Sequence, residues 1–184
     1  MTIDARLGAL GVFAKSGFFD QAVCASVRAA MDRGYASPAE IYAGGYLVDE
    51  GIRRTFDIDV EDALVHEVQH AIDTARAEVA GFFGIPLTAD EGPGFLRYTC
   101  GGFYREHRDV PPEGGEEFPR RISVVVFLTT AGEECEGGSL RLYSPDAVDI
   151  APRAGMLVAF PSDTPHEVLP VTAGVRDAIV DWFY

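Results

Sequence analysis

Long apolar runs are missing from this chain. Nowhere do 18 or more apolar residues stand together, so no membrane-spanning helix is expected. Cysteine is scarce: Cys24, Cys100 and Cys135 are far apart, odd in number and form no CxxC pair. Such usage gives neither a disulfide framework nor a cysteine zinc site, and it fits reduced thiols in a cytosolic protein. Basic residues are few as well, 15 Lys and Arg against 29 Asp and Glu, for a formal charge of −14. A nucleic-acid or anionic-membrane surface needs a positive footprint, so neither partner is expected. The opening MTIDARLGAL lacks the basic-then-apolar order of a signal peptide, and no repeat or low-complexity tract is present. What remains is a chain of 184 residues, 47% apolar and 24% charged, enough for one domain with its own core.

The first half reads mainly helical. After Ser16-Gly17-Phe18-Phe19, residues 20–33 place Val23, Val27, Ala30 and Met31 on one helical stripe, with Asp20 as N-cap and Gly34 as stop. Residues 39–48 read as a short strand broken by Gly44-Gly45. A long helix is predicted from Asp59 or Asp62 to about Phe83, ending at Gly84 ahead of Pro86. Its apolar positions Leu64, Val68, Ala71, Ile72, Ala75 and Val79 recur at three- and four-residue steps. After Pro93 the period changes to short apolar runs punctuated by Gly and Pro: 95–98, 122–128, 140–143, 156–160, 167–171 and 175–183. Many short strands after helices predict a β-sandwich or barrel with helices packed on one sheet, an α+β chain that is mainly β.

Four histidines sort into two pairs that propose different enzymes. His66-Glu67-Val68-Gln69-His70 fits HExxH, in which imidazoles four apart on a helix share a face and could meet one zinc, with Glu67 as base. A third ligand is missing: the extended form of the motif fails at Asp73 and Arg76, and Glu78 lies further along the same helix. The plainer reading, and the one favoured here, is two surface histidines on an amphipathic helix. The second constellation is His107-x-Asp109, followed by His166 and Arg176. If 103–109 is extended, His107 and Asp109 project to one side. Two histidines and one carboxylate form the facial triad of non-haem Fe(II) oxygenases, which leaves coordination positions open. Arg176 shares a strand face with Ala178, Val180 and Trp182 in VRDAIVDWFY. An inward guanidinium needs an anion, which a ligand carboxylate or an internal acid could supply.

Here the residues reach a family. Phe95-Leu96-Arg97-Tyr98-x-x-Gly101-Gly102-Phe103-Tyr104-x-x-His107-x-Asp109 resembles the iron-binding strand of prolyl 4-hydroxylase-like 2-oxoglutarate oxygenases. Gly137-Gly138-x-Leu140 is similar to that family's GGxL motif. Pro152-x-x-Gly155-x-x-Val158-x-Phe160 and His166-Glu167-Val168-x-Pro170-Val171-x-x-Gly174-x-Arg176, closed by Trp182, resemble its second-histidine and arginine block. Arg53-Arg54 fits its upstream region, and the likeness runs over about residues 50–184.

The resemblance implies a double-stranded β-helix, a cupin-like jelly roll. It makes 1–184 one domain, with 1–92 a helical support region and 93–184 the Fe(II)/2-oxoglutarate dioxygenase core. It implies His107, Asp109 and His166 as iron ligands and Arg176 as the partner of the distal carboxylate of 2-oxoglutarate. Tyr98 would line the cosubstrate or substrate pocket, and Ser123 would be a lesser hydrogen-bond donor to the cosubstrate. No catalytic residue beyond the iron site is implied. Cofactors would be Fe(II), 2-oxoglutarate and O2, with ascorbate a candidate reductant. The substrate would be a peptide or small molecule hydroxylated at an unactivated C–H while 2-oxoglutarate decarboxylates to succinate and CO2. In one departure, Val126-Phe127-Leu128 stands where relatives carry a YLN-like triplet, and Phe127 cannot support that carboxylate. Asp109 argues against a halogenase, and Arg97 and Arg121 are alternative anchors. VPPEGGEEFP at 110–119 reads as a loop over the metal mouth, whose acids Glu113, Glu116 and Glu117 would favour a cationic substrate. The rival readings are the zinc protease on His66 and His70 and a jelly-roll binding protein without turnover.

Overall fold

The structure is a computed structural model that describes residues 1–43, 45–110, 120–143 and 146–184. Three helices precede the core: α1 (Ile3–Gly8), α2 (Gln21–Met31) and α3 (Asp62–Phe83). Asp20 caps α2, its carboxylate accepting from the Val23 N–H at 2.8 Å. Val27 and Met31 are buried as expected, but Cys24 completes the stripe in place of Val23, which is exposed. Gly34 contributes close approach: a Cβ there would stand 2.2 Å from the Asp59 carbonyl. Helix α3 begins after Glu61, while Asp59 ends a strand. It stops at Gly84, which takes a left-handed φ of 67° and donates its N–H to the Ala80 carbonyl.

Strands were expected mainly after Pro93, but the described residues among the first 60 supply six: β1 (Phe13–Lys15), β2 (Tyr35–Pro38), β3 (Ile41–Tyr42), β4 (Tyr46–Leu47), β5 (Arg53–Arg54) and β6 (Phe56–Asp59). Two to four residues are too short to show a period, so pairing creates these strands, with distant partners for β1, β5 and β6 and with each other for β3 and β4. Residues 39–48, read as one broken strand, form instead the antiparallel ribbon β3–β4, with Ile41 opposite Leu47. The remaining strands are β7 (Gly94–Thr99), β8 (Phe103–His107), β9 (Ile122–Phe127), β10 (Cys135–Gly137), β11 (Leu140–Tyr143), β12 (Ala147–Ile150), β13 (Leu157–Pro161), β14 (His166–Val168) and β15 (Val171–Phe183). Among the described residues the major sheet runs β1-β13-β9-β15-β7-β6-β2, with β10 also pairing β15; the minor sheet runs β12-β11-β14-β8-β5. Two facing antiparallel sheets with helices outside one of them are the expected double-stranded β-helix. No helix among the described residues is long and apolar enough to cross a membrane.

Alternation along the strands divides the interior into two layers. On the outer face of the major sheet, Val27, Met31, Val68, Ile72, Ala75 and Val79 pack on Phe95, Val124, Val126 and Ile179. Val125, Phe127 and Ala178 of the same sheet meet Leu140, Leu142 and Phe160 on the inner side. The β15–β7 register sets Arg176 opposite Tyr98 and Asp177 opposite Arg97. One pair therefore faces the space between the sheets and the other faces the helices.

Candidate metal centre

His107 ends β8 and His166 begins β14, and the two are direct cross-strand partners in the minor sheet. That pairing brings their ring centroids to 4.2 Å. Each imidazole turns its Nδ1 to a carbonyl two residues earlier, His107 to Arg105 at 2.8 Å and His166 to Thr164 at 2.9 Å. A carbonyl only accepts, so each Nδ1 carries the proton and each Nε2 keeps a free lone pair. Asp109 lies past the end of β8, not within an extended 103–109 strand, and is held by its N–H to the Ser162 carbonyl at 2.9 Å. Its carboxylate stands 3.5 Å from His107 Nε2 and 3.4 Å from His166 Nε2. Among the described residues these three are the only group of three or more His, Cys, Asp or Glu whose ligand atoms gather within 4.8 Å.

The electrostatics suit a cation. Burial alone would raise Asp109, but the His107 and His166 rings beside it hold it below the usual carboxylate range. Burial, with His107 beside it, keeps the His166 imidazole below its ordinary value and so neutral, against the pull of Asp109. Two imidazoles and one carboxylate, each with an atom aimed at a shared point, fit a divalent first-row metal. The tautomers are already those a metal requires.

The cluster opens on a cavity of about 970 Å3 between the sheets, lined also by Tyr98, Tyr104, Trp182 and Arg176. Arg176 is fully buried, at 2% exposure. Its Nε–H donates to the Gly138 carbonyl at 2.8 Å, and its guanidinium lies over Tyr98 and Phe127 at 4.9 and 5.3 Å from the ring centroids. Gly138 makes room for it: a Cβ there would stand 2.8 Å from Arg176 Cδ, and its φ of 66° favours glycine. Among the described residues Arg176 has no carboxylate partner, so the internal ion pair considered for it does not form. The alternative anchors are committed elsewhere. Arg97 makes a bidentate contact to buried Asp177 at 2.8 Å and reaches Asp32, while Arg121 donates to the Pro86 carbonyl.

Tyr98 is buried against Arg176 and lines the cavity, and its hydroxyl has no hydrogen-bond partner among the described residues. Ser123, expected as a cosubstrate contact, is not among the residues lining the cavity; its Oγ stands 2.8 Å from Asp109 Oδ2 and 3.0 Å from Ser162 Oγ. A strand period cannot reveal such a contact, because Ser123, Ser162 and Asp109 come from three separate segments. Tyr104, which the residue pattern placed in the motif without a role, stacks its ring on His107 with the centroids 3.5 Å apart. His66, Glu67 and His70 sit exposed on α3, with no third ligand gathered among the described residues, and Glu78 pairs with Lys15 at 2.7 Å. Among the described residues the zinc-protease reading therefore finds no three-ligand site. Of the loop expected at 110–119, Val110 lines the cavity and the rest lies outside the described residues.

Comparison with known proteins bears on the same region. Residues 93–184, half of the chain, match the model of the 2OG-Fe(II) oxygenase superfamily. A PKHD-type hydroxylase of Stenotrophomonas maltophilia is 40% identical over 96 residues, which cover 49% of this chain and 41% of that protein. Another, from Cupriavidus metallidurans, is 33% identical over 135 residues, 68% of this chain and 58% of that protein. The chain thus spans between two and three fifths of the length of these relatives. A Pseudomonas putida prolyl-4-hydroxylase structure superposes with a TM-score of 0.75 at 27% identity, covering 98% of this chain and 96% of that one. A Trichoplax adhaerens prolyl hydroxylase, solved with a hypoxia inducible factor oxygen degradation domain peptide fragment, shares the fold. Its TM-score is 0.78 at 24% identity, over 99% and 87% of the two chains.

Proposed function

The chain belongs to the 2OG-Fe(II) oxygenase superfamily, and from that premise we propose that it is an Fe(II)- and 2-oxoglutarate-dependent hydroxylase of the prolyl-hydroxylase type. One observation carries the reading. A His107–Asp109–His166 cluster opens on the same cavity as a buried guanidinium with no acid of its own among the described residues. In this reading the two Nε2 atoms and Asp109 hold Fe(II), and Arg176 pairs with the distal carboxylate of 2-oxoglutarate. Tyr98 offers its hydroxyl to the same end, in place of the hydroxyl that Phe127 lacks. The bound iron and cosubstrate supply oxidative decarboxylation of 2-oxoglutarate to succinate and CO2, coupled to hydroxylation of an unactivated C–H bond.

The chain's own part is placement. Three protein ligands leave the metal's remaining positions to the cosubstrate and O2. Arg176, anchored by Gly138, fixes the direction from which a five-carbon diacid reaches the metal. Leu96, Leu140 and Val168 line the cavity with apolar surface that limits water around the reacting groups. The similar prolyl hydroxylase structures, one of them holding a peptide fragment, support a peptidyl or small-molecule substrate of the prolyl type. A single domain, with residues 1–92 supporting a 93–184 core, belongs to the same proposal, as do ascorbate as reductant and a cytosolic site of action. The test is stoichiometric. Protein loaded with Fe(II) should consume O2 and convert 2-oxoglutarate to succinate, and screening of prolyl peptides and metabolites should find a product 16 mass units heavier. Absence of succinate under every loading condition would refute the reading.

A further inference from the structure

Asp109 lies two residues past the end of β8, where no sheet partner fixes it. Two serines do so instead. The Ser162 carbonyl accepts the Asp109 N–H at 2.9 Å, and Ser123 Oγ stands 2.8 Å from Asp109 Oδ2. Ser123 Oγ is also 3.0 Å from Ser162 Oγ. A hydroxyl has one proton and the carboxylate can only accept, so Ser162 donates to Ser123 and Ser123 donates to Asp109. Both serines are 1% exposed, so no bulk water competes for these bonds. The backbone settles the rest: Ser123 is the cross-strand partner of Phe160 on one side and Trp182 on the other, and the Ser162 N–H is tied to the Arg121 carbonyl at 2.9 Å.

We propose that Ser123 and Ser162 are positioning residues for the metal centre, a hydroxyl relay and a carbonyl that together aim the Asp109 carboxylate at the point where the two Nε2 atoms converge. The inference rests on the metal-centre reading given above and deepens it. A carboxylate already aimed gives up less freedom when it takes a metal, and a hydrogen-bonded one does not swing onto the neighbouring imidazoles. Loss of a partner of this kind costs roughly 10–100-fold in metal affinity. Ser123 acts on the metal through Asp109 and is not itself among the residues that line the cavity, so its loss should leave cosubstrate binding to the loaded protein unchanged.

The experiment is a calorimetric titration of the full chain with Mn(II), a redox-stable stand-in for Fe(II) at nitrogen and oxygen sites, followed by 2-oxoglutarate at saturating Mn(II). Ser123→Ala should weaken Mn(II) roughly 10–100-fold, with the apo melting temperature nearly that of the parent and the 2-oxoglutarate affinity retained. Ser123→Thr, which keeps the hydroxyl on a strand-compatible residue, should recover most of the loss. Ser162→Ala should fall between the parent and Ser123→Ala, because its carbonyl contact survives. Parental Mn(II) affinity in Ser123→Ala would overturn the inference, as would normal Mn(II) binding with weakened 2-oxoglutarate, which would return Ser123 to a cosubstrate contact. If instead Asp109→Ala binds Mn(II) as tightly as the parent, or the parent binds none, the metal-centre reading itself falls and takes this inference with it.

Discussion

Replacing Arg176 by leucine should cost the protein its cosubstrate and leave its fold standing. The guanidinium is fully buried, its single hydrogen bond goes to the Gly138 carbonyl, and among the described residues no carboxylate balances its charge. Leucine keeps apolar contact with Tyr98 and Phe127 and removes a charge that burial disfavours. Against that stands the lost bond to Gly138, worth about 1 kcal/mol, so the apo melting temperature should move by no more than about 4 °C. Binding should respond far more. One charged hydrogen bond to the ligand is worth about 1.5–3 kcal/mol, or roughly 10–150-fold in affinity, and a second bond in a fork–fork contact adds to it. Arg176→Lys should recover only part, since a point charge replaces a planar fork. The assay is 2-oxoglutarate binding to the Mn(II)-loaded protein by calorimetry, with thermal melting alongside. Arg97→Leu is the control, one residue across the sheet and on its other face. It strands Asp177, which is 0% exposed and otherwise has only Arg28 at 3.5 Å. Breaking a buried pair costs about 3–5 kcal/mol, so this variant should melt early yet bind 2-oxoglutarate normally. If Arg176→Leu behaves like Arg97→Leu, Arg176 is a structural residue and the anchor lies elsewhere.

Replacing both His66 and His70 by Gln should leave metal content and succinate formation intact, because both are exposed and gather no third ligand among the described residues. Metal loss from a folded double variant, read by elemental analysis, would reverse the ranking of the two histidine pairs. Asp181 should make stability fall with rising pH: burial, reinforced by Asp90 and opposed by the Trp182 and Gly92 N–H groups, lifts its carboxyl from 3.8 to about 7. The folded chain then holds a proton that the unfolded chain has lost, so the penalty sets in above the unfolded value and is complete above the folded one. Asp181→Asn should gain about 2 kcal/mol relative to the parent between pH 5.5 and pH 8 in urea unfolding, and parallel pH profiles would show that Asp181 ionises without penalty.

Several parts of this molecule were legible in the residues because local chemistry and spacing set them. Helix α3 carries its period and its left-handed stop at Gly84, and Asp20 caps α2 as a free carboxylate before an apolar stripe should. The pairing of His107 with His166 needs strand contacts 59 positions apart, yet the residue pattern around them resembled a known family closely enough to bring them together. Other features were hidden. Strands β1 and β6 have no period of their own and exist because the longer β13 and β7 offer them an edge, and β2 forms in turn on β6. The role of Ser123 depends on which hydroxyl lies within 2.8 Å of Asp109, a fact of packing between segments. Gly138 was legible as part of a motif, but its reason is steric: only a residue without Cβ leaves room for the Arg176 stem.

The most direct test of the account is an anaerobic titration of the purified chain with Fe(II) and 2-oxoglutarate, followed in the visible region. A charge-transfer band should appear only when both are present and saturate at one metal per chain. It should persist in the His66→Gln, His70→Gln double variant, need far more 2-oxoglutarate in Arg176→Leu, and vanish in Asp109→Ala. A band of full intensity in Asp109→Ala, or none in the parent protein, would contradict the assignment of His107, Asp109 and His166 as the metal centre.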